Sequence, residues 1–540
     1  MTSNVPYQPS ILVCRGQEVL AVYRDPEIPN YRGNPLIEAL PLILSKQEAI
    51  RRLAYFPPYK ESERTEPAHL RLHLIQNTLQ FFTPLGIHID LEQRFSRLIR
   101  LGYQARNPFK PEFWRDFEQR VESIDPNGFV PRRQRSTAKS LTILGVSGVG
   151  KSTAVEEILL LYPQVINHSH YCGRNFTLKQ IVWLKLECPQ DASIKGLCFN
   201  FFQAVDDLLG TAYYKNYAKG RRTVDELIPD MARVVSIHCI GMLVIDEIQN
   251  LSEAKSGGSR KMLNFFVQMI NTIGLPVVLV GTYKAWSVLS SEFRQMRRGT
   301  GQGDLVWDPM KEDDVWQTFI KSLWRYQYVQ NFCKLTPALS HALYYECLGI
   351  TDFAVKVYML AQVRAIATGQ EKVTEAIIKS VAKDCLRTAR TVLNALKQTN
   401  SDKKREMLIN CEDVYPIDPE PFIEEALESV LDEESLRSLP ETQECSVSSK
   451  TVERLQSKPL YQLSELSQPE PVTEQKVIPT PIEAKTIKAS GKSRKYADLE
   501  NTLSGIVAKG ASQGIAAYEA LKQAGHIRPV TEYFQEDMLG

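Results

Sequence analysis

Residues 140–153 read SLTILGVSGVGKST, and they are the part of the sequence most informative about the fold. SLTILG predicts a buried strand, and Gly145–Ser152 then matches G-x-x-x-x-G-K-[ST] at every position. Glycines let the chain turn tightly, so that backbone N–H groups surround phosphate oxygens. The stretch therefore predicts a strand, a phosphate-binding loop and a helix. The complete spacing in this context disfavours the alternative of a chance glycine-rich turn.

The loop predicts a role for each of its polar residues. Lys151 is predicted to reach the β- and γ-phosphates of ATP, and the Ser152 hydroxyl is predicted to ligate Mg²⁺. The following helix, from Ser152 to about Leu161, points its positive N-terminus at the same anion. The predicted nucleotide-binding residues are Gly145, Val146, Ser147, Gly148, Val149, Gly150, Lys151, Ser152 and Thr153.

A second apolar strand ends in two carboxylates, in the stretch MLVIDE at 242–247. Asp246 is predicted to hold Mg²⁺, and Glu247 to orient and polarise the attacking water. An acidic pair at a strand end is weak evidence for a nucleotide site by itself. It becomes strong evidence here because it lies one or more βα units after a phosphate loop. Glu247 predicts that the protein hydrolyses ATP rather than only binding it.

Two further features extend this site. Thr282 follows the strand LPVVLVG, and the carboxyl ends of parallel strands meet at the ligand-binding edge of a sheet. It is therefore predicted to bond the γ-phosphate or the lytic water; a simple strand-to-loop turn is the alternative. Arg294, Arg297 and Arg298 precede a glycine-rich turn and form either a finger that contacts a neighbouring subunit's γ-phosphate or a solvated basic loop.

The pattern along the chain predicts an α/β core followed by helices. Strands alternate with helical patterns such as Ile194–Leu209, which predicts a parallel sheet with helices on both faces. After residue 400 the chain becomes acidic and then loses periodicity. We divide it into an α-rich N-terminal extension (1–135), an α/β nucleotide-binding domain (136–310), a helical lid (311–400), a linker that is acidic and then rich in Ser, Pro and Lys (401–495), and a C-terminal tail (496–540).

Composition bounds the function classes. Of 540 residues, 43% are hydrophobic and 24% charged, with a net charge of +2, so nucleic-acid binding requires local basic patches. The 10 cysteines form no CxxC pair, which favours free thiols in a reducing cytoplasm. No apolar run approaches the roughly 20 residues that span a bilayer. We expect a cytoplasmic protein without a membrane partner.

Two basic groups are candidates for phosphate contacts. Lys195, Lys219, Arg221 and Arg222 are predicted to bind DNA phosphates without reading bases, with a solvated charge cluster as an equal alternative. In the helical stretch 90–101, three arginines lie beside an apolar face and form either a solvated helix side or a nucleic-acid or partner surface. The apolar face is Leu91, Phe95, Leu98 and Ile99, and the arginines are Arg94, Arg97 and Arg100.

Several long stretches resemble TnsC, the AAA+ ATPase of Tns-type transposons. Besides the phosphate loop they are YRDPEIPNYRGNPLIEALP (23–41), FFTPLGIHIDLEQRFSRLIRLGYQARNP (81–108), RRGTGQGDLVWDP (297–309) and GITDFAVKVYMLAQVRAIA (349–367). The resemblance covers most of residues 20–395. It implies an AAA+ P-loop NTPase core with a small all-α lid. It also implies that Thr282 is sensor 1, that Arg297 and Arg298 form an arginine finger in trans, and that Lys356 stands at the sensor 2 position, where an arginine is usual.

The resemblance also implies partners. Proteins of this family form ring or helical oligomers on double-stranded DNA, receive a signal from a TnsD/TniQ-type target selector, in some systems with an RNA-guided complex, and recruit the transposase subunits TnsA and TnsB. We expect 496–540 to dock a transposase subunit and 1–135 to face the selector and DNA. One alternative is a helicase loader or replication initiator, whose additional DNA-reading domain is not evident in the sequence. Another is a scaffold that binds ATP without hydrolysing it, which the Asp246–Glu247 pair disfavours.

Overall fold

The structure is a computed structural model, and it divides the chain into two units, Met1–Glu441 and Thr442–Gly540. All residues that it describes belong to the first unit. They are residues 12, 14–111, 113, 139–218, 222–253, 258–270, 274–286, 289, 301–398, 401–411 and 417–437. The part of the predicted linker after residue 437 and the whole tail at 496–540 lie outside them.

Strands of the described residues form two sheets. The strands are β1 (Glu18–Leu20), β2 (Ser140–Gly145), β3 (Val165–Tyr171), β4 (Arg174–Ile181), β5 (Trp183–Glu187), β6 (Met242–Asp246), β7 (Val277–Gly281) and β8 (Gly301–Trp307). The larger sheet has the order β5-β6-β7-β2-β8, and every pair in it is parallel. The predicted α/β fold class with a parallel sheet is therefore confirmed. In this register Leu144 stands opposite Gly281 and Glu187 opposite Asp246, so these strands end at one edge.

Helices account for most of the remaining described chain. They are α1 (Pro35–Glu38), α2 (Lys46–Leu53), α3 (Ala68–Leu74), α4 (Gly86–Gln104), α5 (Lys151–Leu159), α6 (Ile194–Leu209), α7 (Tyr213–Tyr217), α8 (Val224–Ile237), α9 (Gly258–Gln268), α10 (Asp314–Leu323), α11 (Pro337–Cys347), α12 (Thr351–Ala367), α13 (Glu375–Cys385), α14 (Arg390–Leu396), α15 (Ser401–Asn410) and α16 (Glu420–Arg437). Within the part of the chain that is described, no helix is long and apolar enough to cross a membrane.

Both faces of the parallel sheet are covered, because side chains along each buried strand point alternately to either face. One core contains Ile143 of β2 and Val244 of β6 together with apolar residues of α4, α5 and the helices after residue 310. The other contains Leu243 and Ile245 of β6 together with α6, α8 and α9. Because α4 belongs to the first core, the N-terminal region shares that core with the sheet.

The smaller sheet is an element that the sequence did not predict. Strands β3 and β4 form an antiparallel hairpin, and β1 pairs with β3 in parallel. The hairpin turns at Cys172 and Gly173, whose φ angles are +48° and +75°. Positive φ at both central residues suits a hairpin turn, but the pair Cys-Gly lacks the Asn-Gly or Asp-Gly signal by which such turns are predicted.

The stretch after residue 400 differs from its prediction as the start of a linker. Residues 401–437 include α15 and α16, and α16 packs against α12 and α3. Ile423, Ala426 and Val430 are at most 8% exposed. Their spacing of three and four residues places them on one helical face, which the surrounding glutamates obscure in a reading based on composition.

A buried ion pair fastens the N-terminal region to the lid. The Arg71 guanidinium on α3 donates to both Glu371 carboxylate oxygens, at 2.8 and 2.7 Å, and also to the Tyr328 carbonyl oxygen at 2.8 Å. The Arg71 side chain is 1% exposed and that of Glu371 15%. Because α3 precedes the sheet in sequence and Glu371 follows α12, this contact joins segments 300 residues apart.

We expect Glu371→Ala to lower the free energy of unfolding by about 3 kcal/mol, because it leaves the buried Arg71 charge without its partner. Urea denaturation followed by circular dichroism measures the change. The matched control is Asp25→Ala, which removes a similarly two-pronged but exposed pair with Arg32. That control should cost less than about 1 kcal/mol. Equal losses of unfolding free energy for the two variants would contradict a stabilising role of the buried Arg71–Glu371 pair.

Candidate nucleotide site

The phosphate loop runs from the end of β2 to the start of α5. Gly148 and Gly150 have φ angles of +82° and +92°, a left-handed region that glycine adopts without steric cost. The Lys151 ammonium donates to the carbonyl oxygens of Gly145 and Val146, at 3.1 and 2.8 Å. Lys151 is 7% exposed, so its charge lies inside the loop.

These features fit the triphosphate of a nucleoside triphosphate together with Mg²⁺. The two left-handed glycines let the loop turn its backbone N–H groups toward a bound anion, and α5 begins at Lys151 with its positive end toward the loop. Ser152 and Thr153 fall in the first turn of that helix. The hydroxyl of Ser152 and the carboxylate of Asp246 supply the oxygen donors that Mg²⁺ prefers.

Asp246 is held at both of its carboxylate oxygens. Its Oδ1 accepts from the Glu247 backbone N–H at 2.9 Å, and its Oδ2 lies 3.1 Å from the Lys185 ammonium. Lys185 also bonds Glu156 on α5 at 2.6 Å. Burial alone lowers the pKa of Lys185, but the nearby carboxylates of Asp246 and Glu156 outweigh burial, so that its pKa is raised and the lysine stays charged.

Lys185 was not among the residues that the sequence predicted. It stands in the buried strand β5, where its side chain is 4% exposed. A lysine within the apolar stretch IVWLKLEC was the available signal, because a buried ammonium requires a charged partner. The structure supplies two such partners and thereby ties β5 to the carboxylate of Asp246.

Glu247 begins the turn that follows β6. It is exposed and has a φ angle of +55°, which is uncommon for a residue with a side chain. The Gln249 amide nitrogen donates to the Glu247 carboxylate, and the Gln249 amide oxygen accepts from the Thr282 backbone N–H at 3.0 Å. The structure thus connects Glu247 with Thr282 through Gln249, a residue that the sequence did not single out.

The lid contacts the phosphate loop through the start of α12. The Asp352 backbone N–H and the Thr351 hydroxyl both donate to the Gly148 carbonyl oxygen, at 3.0 and 3.2 Å. Lys356, one turn further along, lies 2.9 Å from the Asp352 carboxylate. Burial raises the pKa of Asp352, and Lys356 opposes that effect. The helix expected to carry sensor 2 therefore begins at the loop, whereas the role of Lys356 stays a prediction.

Of the predicted DNA-contacting residues, Lys195 lies in the first turn of α6 and Arg222 lies between α7 and α8. The Lys195 ammonium lies over the Phe199 ring at 5.4 Å, and the Arg222 guanidinium lies over the Tyr217 ring at 5.6 Å. Arg222 also pairs with Asp230 on α8, which neutralises part of its charge. Lys195 is therefore the stronger of these two candidates for a phosphate contact.

Several predicted residues lie outside the described part of the chain. They are Lys219, Arg221, Arg294, Arg297 and Arg298.

Comparison with known proteins identifies the fold. Residues 133–289 match a family model described as an AAA domain, a range that contains the phosphate loop, Asp246, Glu247 and Thr282. This is an AAA+ P-loop fold. No curated protein matches the chain.

The chain also resembles solved structures that are distant in sequence. The Aeropyrum pernix ORC1 protein in complex with DNA is 12% identical, with 63% of this chain and 87% of that chain covered and a TM-score of 0.32. The Aeropyrum pernix ORC2 protein, in ADPNP-ADP complexes, is 12% identical, with 60% of this chain and 87% of that chain covered and a TM-score of 0.31. Cdc6p from Pyrobaculum aerophilum is 13% identical, with 63% of this chain and 89% of that chain covered and a TM-score of 0.30.

Proposed function

We propose that this protein is an ATP-hydrolysing, DNA-binding AAA+ regulator of DNA transposition that links target-site selection to the recruitment of a transposase. The observation that carries the ATPase part is the arrangement at one edge of the parallel sheet. There the phosphate loop, the Asp246–Glu247 pair and Thr282 follow three strands of one sheet. A hydrogen-bond network joins the pair to Thr282, and the lid helix contacts the loop.

Each side chain has one task in this proposal. The loop residues Gly145–Thr153 bind the phosphates, and Lys151 turns its ammonium to the β- and γ-phosphates. Ser152 and Asp246 hold Mg²⁺, which supplies charge neutralisation on the phosphates when bound. Glu247 orients a water molecule for in-line attack on the γ-phosphate. Thr282 bonds that water or the γ-phosphate.

The proposed assembly state follows from the charge that develops during phosphoryl transfer. Arg297 and Arg298 are proposed to reach the γ-phosphate of a neighbouring copy, and Lys356 is proposed to approach it from the lid of the same copy. Because α12 contacts Gly148, nucleotide bound at the loop and the position of the lid are coupled. ATP therefore favours a ring or helical assembly, and hydrolysis releases it.

The transposition part rests on the long stretches that resemble TnsC. The stretch 81–108 contains α4, which packs on the sheet, and the stretch 349–367 contains α12, which contacts the phosphate loop. These are elements of the nucleotide-responsive core rather than a shared loop motif alone. We therefore propose double-stranded DNA, a TnsD/TniQ-type selector, TnsA and TnsB as partners, with the tail at 496–540 docking the transposase.

The proposal is tested by assembly on DNA followed by transposase capture. We expect electron microscopy to show ordered oligomers on duplex DNA with a non-hydrolysable ATP analogue and far fewer without it. The loaded DNA should then retain TnsB and TnsA from purified pools. Deletion after Lys495 should keep assembly and ATP hydrolysis, because the nucleotide core is intact, but should reduce transposase retention about tenfold through loss of a tethered contact.

Two variants sharpen the DNA arm of this experiment. Lys195→Ala should weaken DNA binding and lower its salt dependence by about one phosphate contact. Lys321→Ala, which removes an exposed lysine on α10, is the matched control and should leave both unchanged. Nucleotide-dependent assembly that captures no transposase but loads a replicative helicase would favour the initiator alternative. ATP binding without hydrolysis would favour the scaffold.

A further inference from the structure

We propose that Gln249 is a positioning residue for ATP hydrolysis, an inference that rests on the proposed function. Gln249 lies in the 3₁₀ turn Ile248–Glu253 directly after β6 and is 4% exposed. Its amide nitrogen donates to the carboxylate of Glu247, and its amide oxygen accepts from the Thr282 N–H at 3.0 Å. One side chain therefore joins the ends of β6 and β7.

The orientation of this amide is fixed by its surroundings. The Thr282 N–H is a donor, so the oxygen of Gln249 must face it, and the NH₂ group then faces Glu247. A Cβ placed on Gly281 would lie 2.7 Å from the Gln249 Oε1 and 2.6 Å from the Ile248 Cγ2. The space above the last residue of β7 is therefore filled by Gln249 and its neighbour, which restrains the amide from turning over.

Glu247 is a residue for which such a restraint matters. It is exposed, and an exposed glutamate side chain samples several rotamers that a water-orienting carboxylate has to give up. Its backbone is fixed by the N–H bond to Asp246, which leaves its side chain to be fixed separately. A reacting group displaced by about 1 Å loses up to about 100-fold in rate. The bond from Gln249 supplies the restraint.

The two hydrogen bonds of Gln249 couple the position of the Glu247 carboxylate to the backbone of Thr282. A continuous network runs from Lys185 on β5 through Asp246 and Glu247 to Gln249, and from there to the backbone of Thr282. A displacement at the end of β7 is therefore transmitted to the carboxylate of Glu247. Gln249 sets the distance between the group that orients water and the strand end that contacts the γ-phosphate.

Steady-state ATP hydrolysis by the full-length protein tests this inference. Gln249→Met keeps the side-chain volume but removes both hydrogen bonds, and it should lower kcat at least about tenfold because a hydrogen bond to a charged group is lost. The KM and the Kd for ATP should stay within about twofold, since no phosphate contact changes. Gln249→Glu keeps the acceptor for Thr282 but cannot donate to Glu247, so its kcat should fall as well.

Two controls separate positioning from structural damage. Gln180→Met removes another buried glutamine, which bonds His168 and the Leu36 carbonyl oxygen in and beside the smaller sheet. It should lower the melting temperature while preserving kcat per folded molecule. In a Glu247→Gln background, Gln249→Met should cause no further loss of the residual single-turnover rate, because its target carboxylate is already absent.

The outcomes are distinguishable. If the wild-type protein hydrolyses ATP and folded Gln249→Met has an unchanged kcat, the inference is overturned while the proposed ATPase function stands. The same holds if Gln249→Met lowers the rate in the Glu247→Gln background by the same factor as in the wild-type protein. A Gln249→Met protein that loses only melting temperature, as Gln180→Met does, shows a structural role and also overturns it. Absence of wild-type hydrolysis overturns the proposed ATPase function and this inference together.

Discussion

Lys151→Ala is expected to weaken ATP binding at least about 100-fold, because it removes a buried, charge-assisted contact to the phosphates. The ammonium lies inside the loop, bonded to the carbonyl oxygens of Gly145 and Val146. Isothermal titration with ATP and with a non-hydrolysable analogue measures the loss. Assembly on DNA should disappear with it, since the proposed oligomer depends on bound nucleotide.

Lys321→Ala is the matched control for this measurement, because it removes a lysine of equal charge from an exposed position on α10. Its nucleotide affinity should equal that of the wild-type protein. An affinity of Lys151→Ala within about threefold of wild type would contradict the assignment of the phosphate loop, since loss of a charged hydrogen bond to phosphate alone costs more.

The sequence predicted the core of this fold because its signals there are local. Buried parallel strands appear as short apolar runs, and the predicted runs around Leu144, Leu186, Ile245 and Val280 each correspond to a strand. The predicted helical stretch Ile194–Leu209 coincides with α6. Each element needs only its own periodicity and flanking turn residues to be recognised.

Elements that depend on distant partners were not predicted. The strand β1 is three residues long and exists by pairing with β3, which lies about 150 residues further along the chain. The hairpin of β3 and β4 lacks a regular alternation, because residues 167–170 of β3 read NHSH, and it lacks a strong turn signal. Helix α16 obtains its buried face from α12 and α3. In each case the stabilising contact is tertiary, and a single segment carries little trace of it.

The burial of charged residues also depends on distant segments that the local sequence does not reveal. In α4 the apolar face of Leu91, Phe95, Leu98 and Ile99 is buried as predicted. Arg100, expected on a solvated or partner-binding side, is instead 3% exposed and bonds Ser96 and the Pro41 carbonyl oxygen. Residue type alone does not reveal burial when a backbone carbonyl supplied by another segment satisfies the charge.

The candidate site was predicted in its residue types rather than in its connections. Lys151, Asp246 and Glu247 follow from motif spacing, because their chemistry requires fixed positions relative to a loop or a strand end. Lys185 and Gln249 do not, because their roles come from strand order: β5 and β7 flank β6 in the sheet. That order places Lys185 of β5 beside Asp246 and the Thr282 N–H after β7 beside Gln249, and no local pattern in the sequence specifies these contacts.

Glu247→Gln is expected to retain ATP binding and to lose hydrolysis at least about 100-fold, because an amide accepts no proton from the attacking water and orients it poorly. The substitution preserves side-chain volume, and the Asp246 carboxylate keeps its bonds to Lys185 and to the backbone N–H of residue 247. The nucleotide Kd should therefore change by less than about threefold. Phosphate release in single-turnover conditions measures the rate.

The consequence for assembly follows from mass action. If ATP favours the oligomer on DNA and hydrolysis dissolves it, a protein that binds ATP without cleaving it should remain on DNA correspondingly longer. Dissociation after dilution into ATP, followed by fluorescence of labelled duplex, gives that lifetime. Glu187→Gln is the control, because Glu187 is an exposed carboxylate that stands opposite Asp246 at the same sheet edge. Turnover in Glu247→Gln equal to that of Glu187→Gln would assign the water-orienting role to another residue.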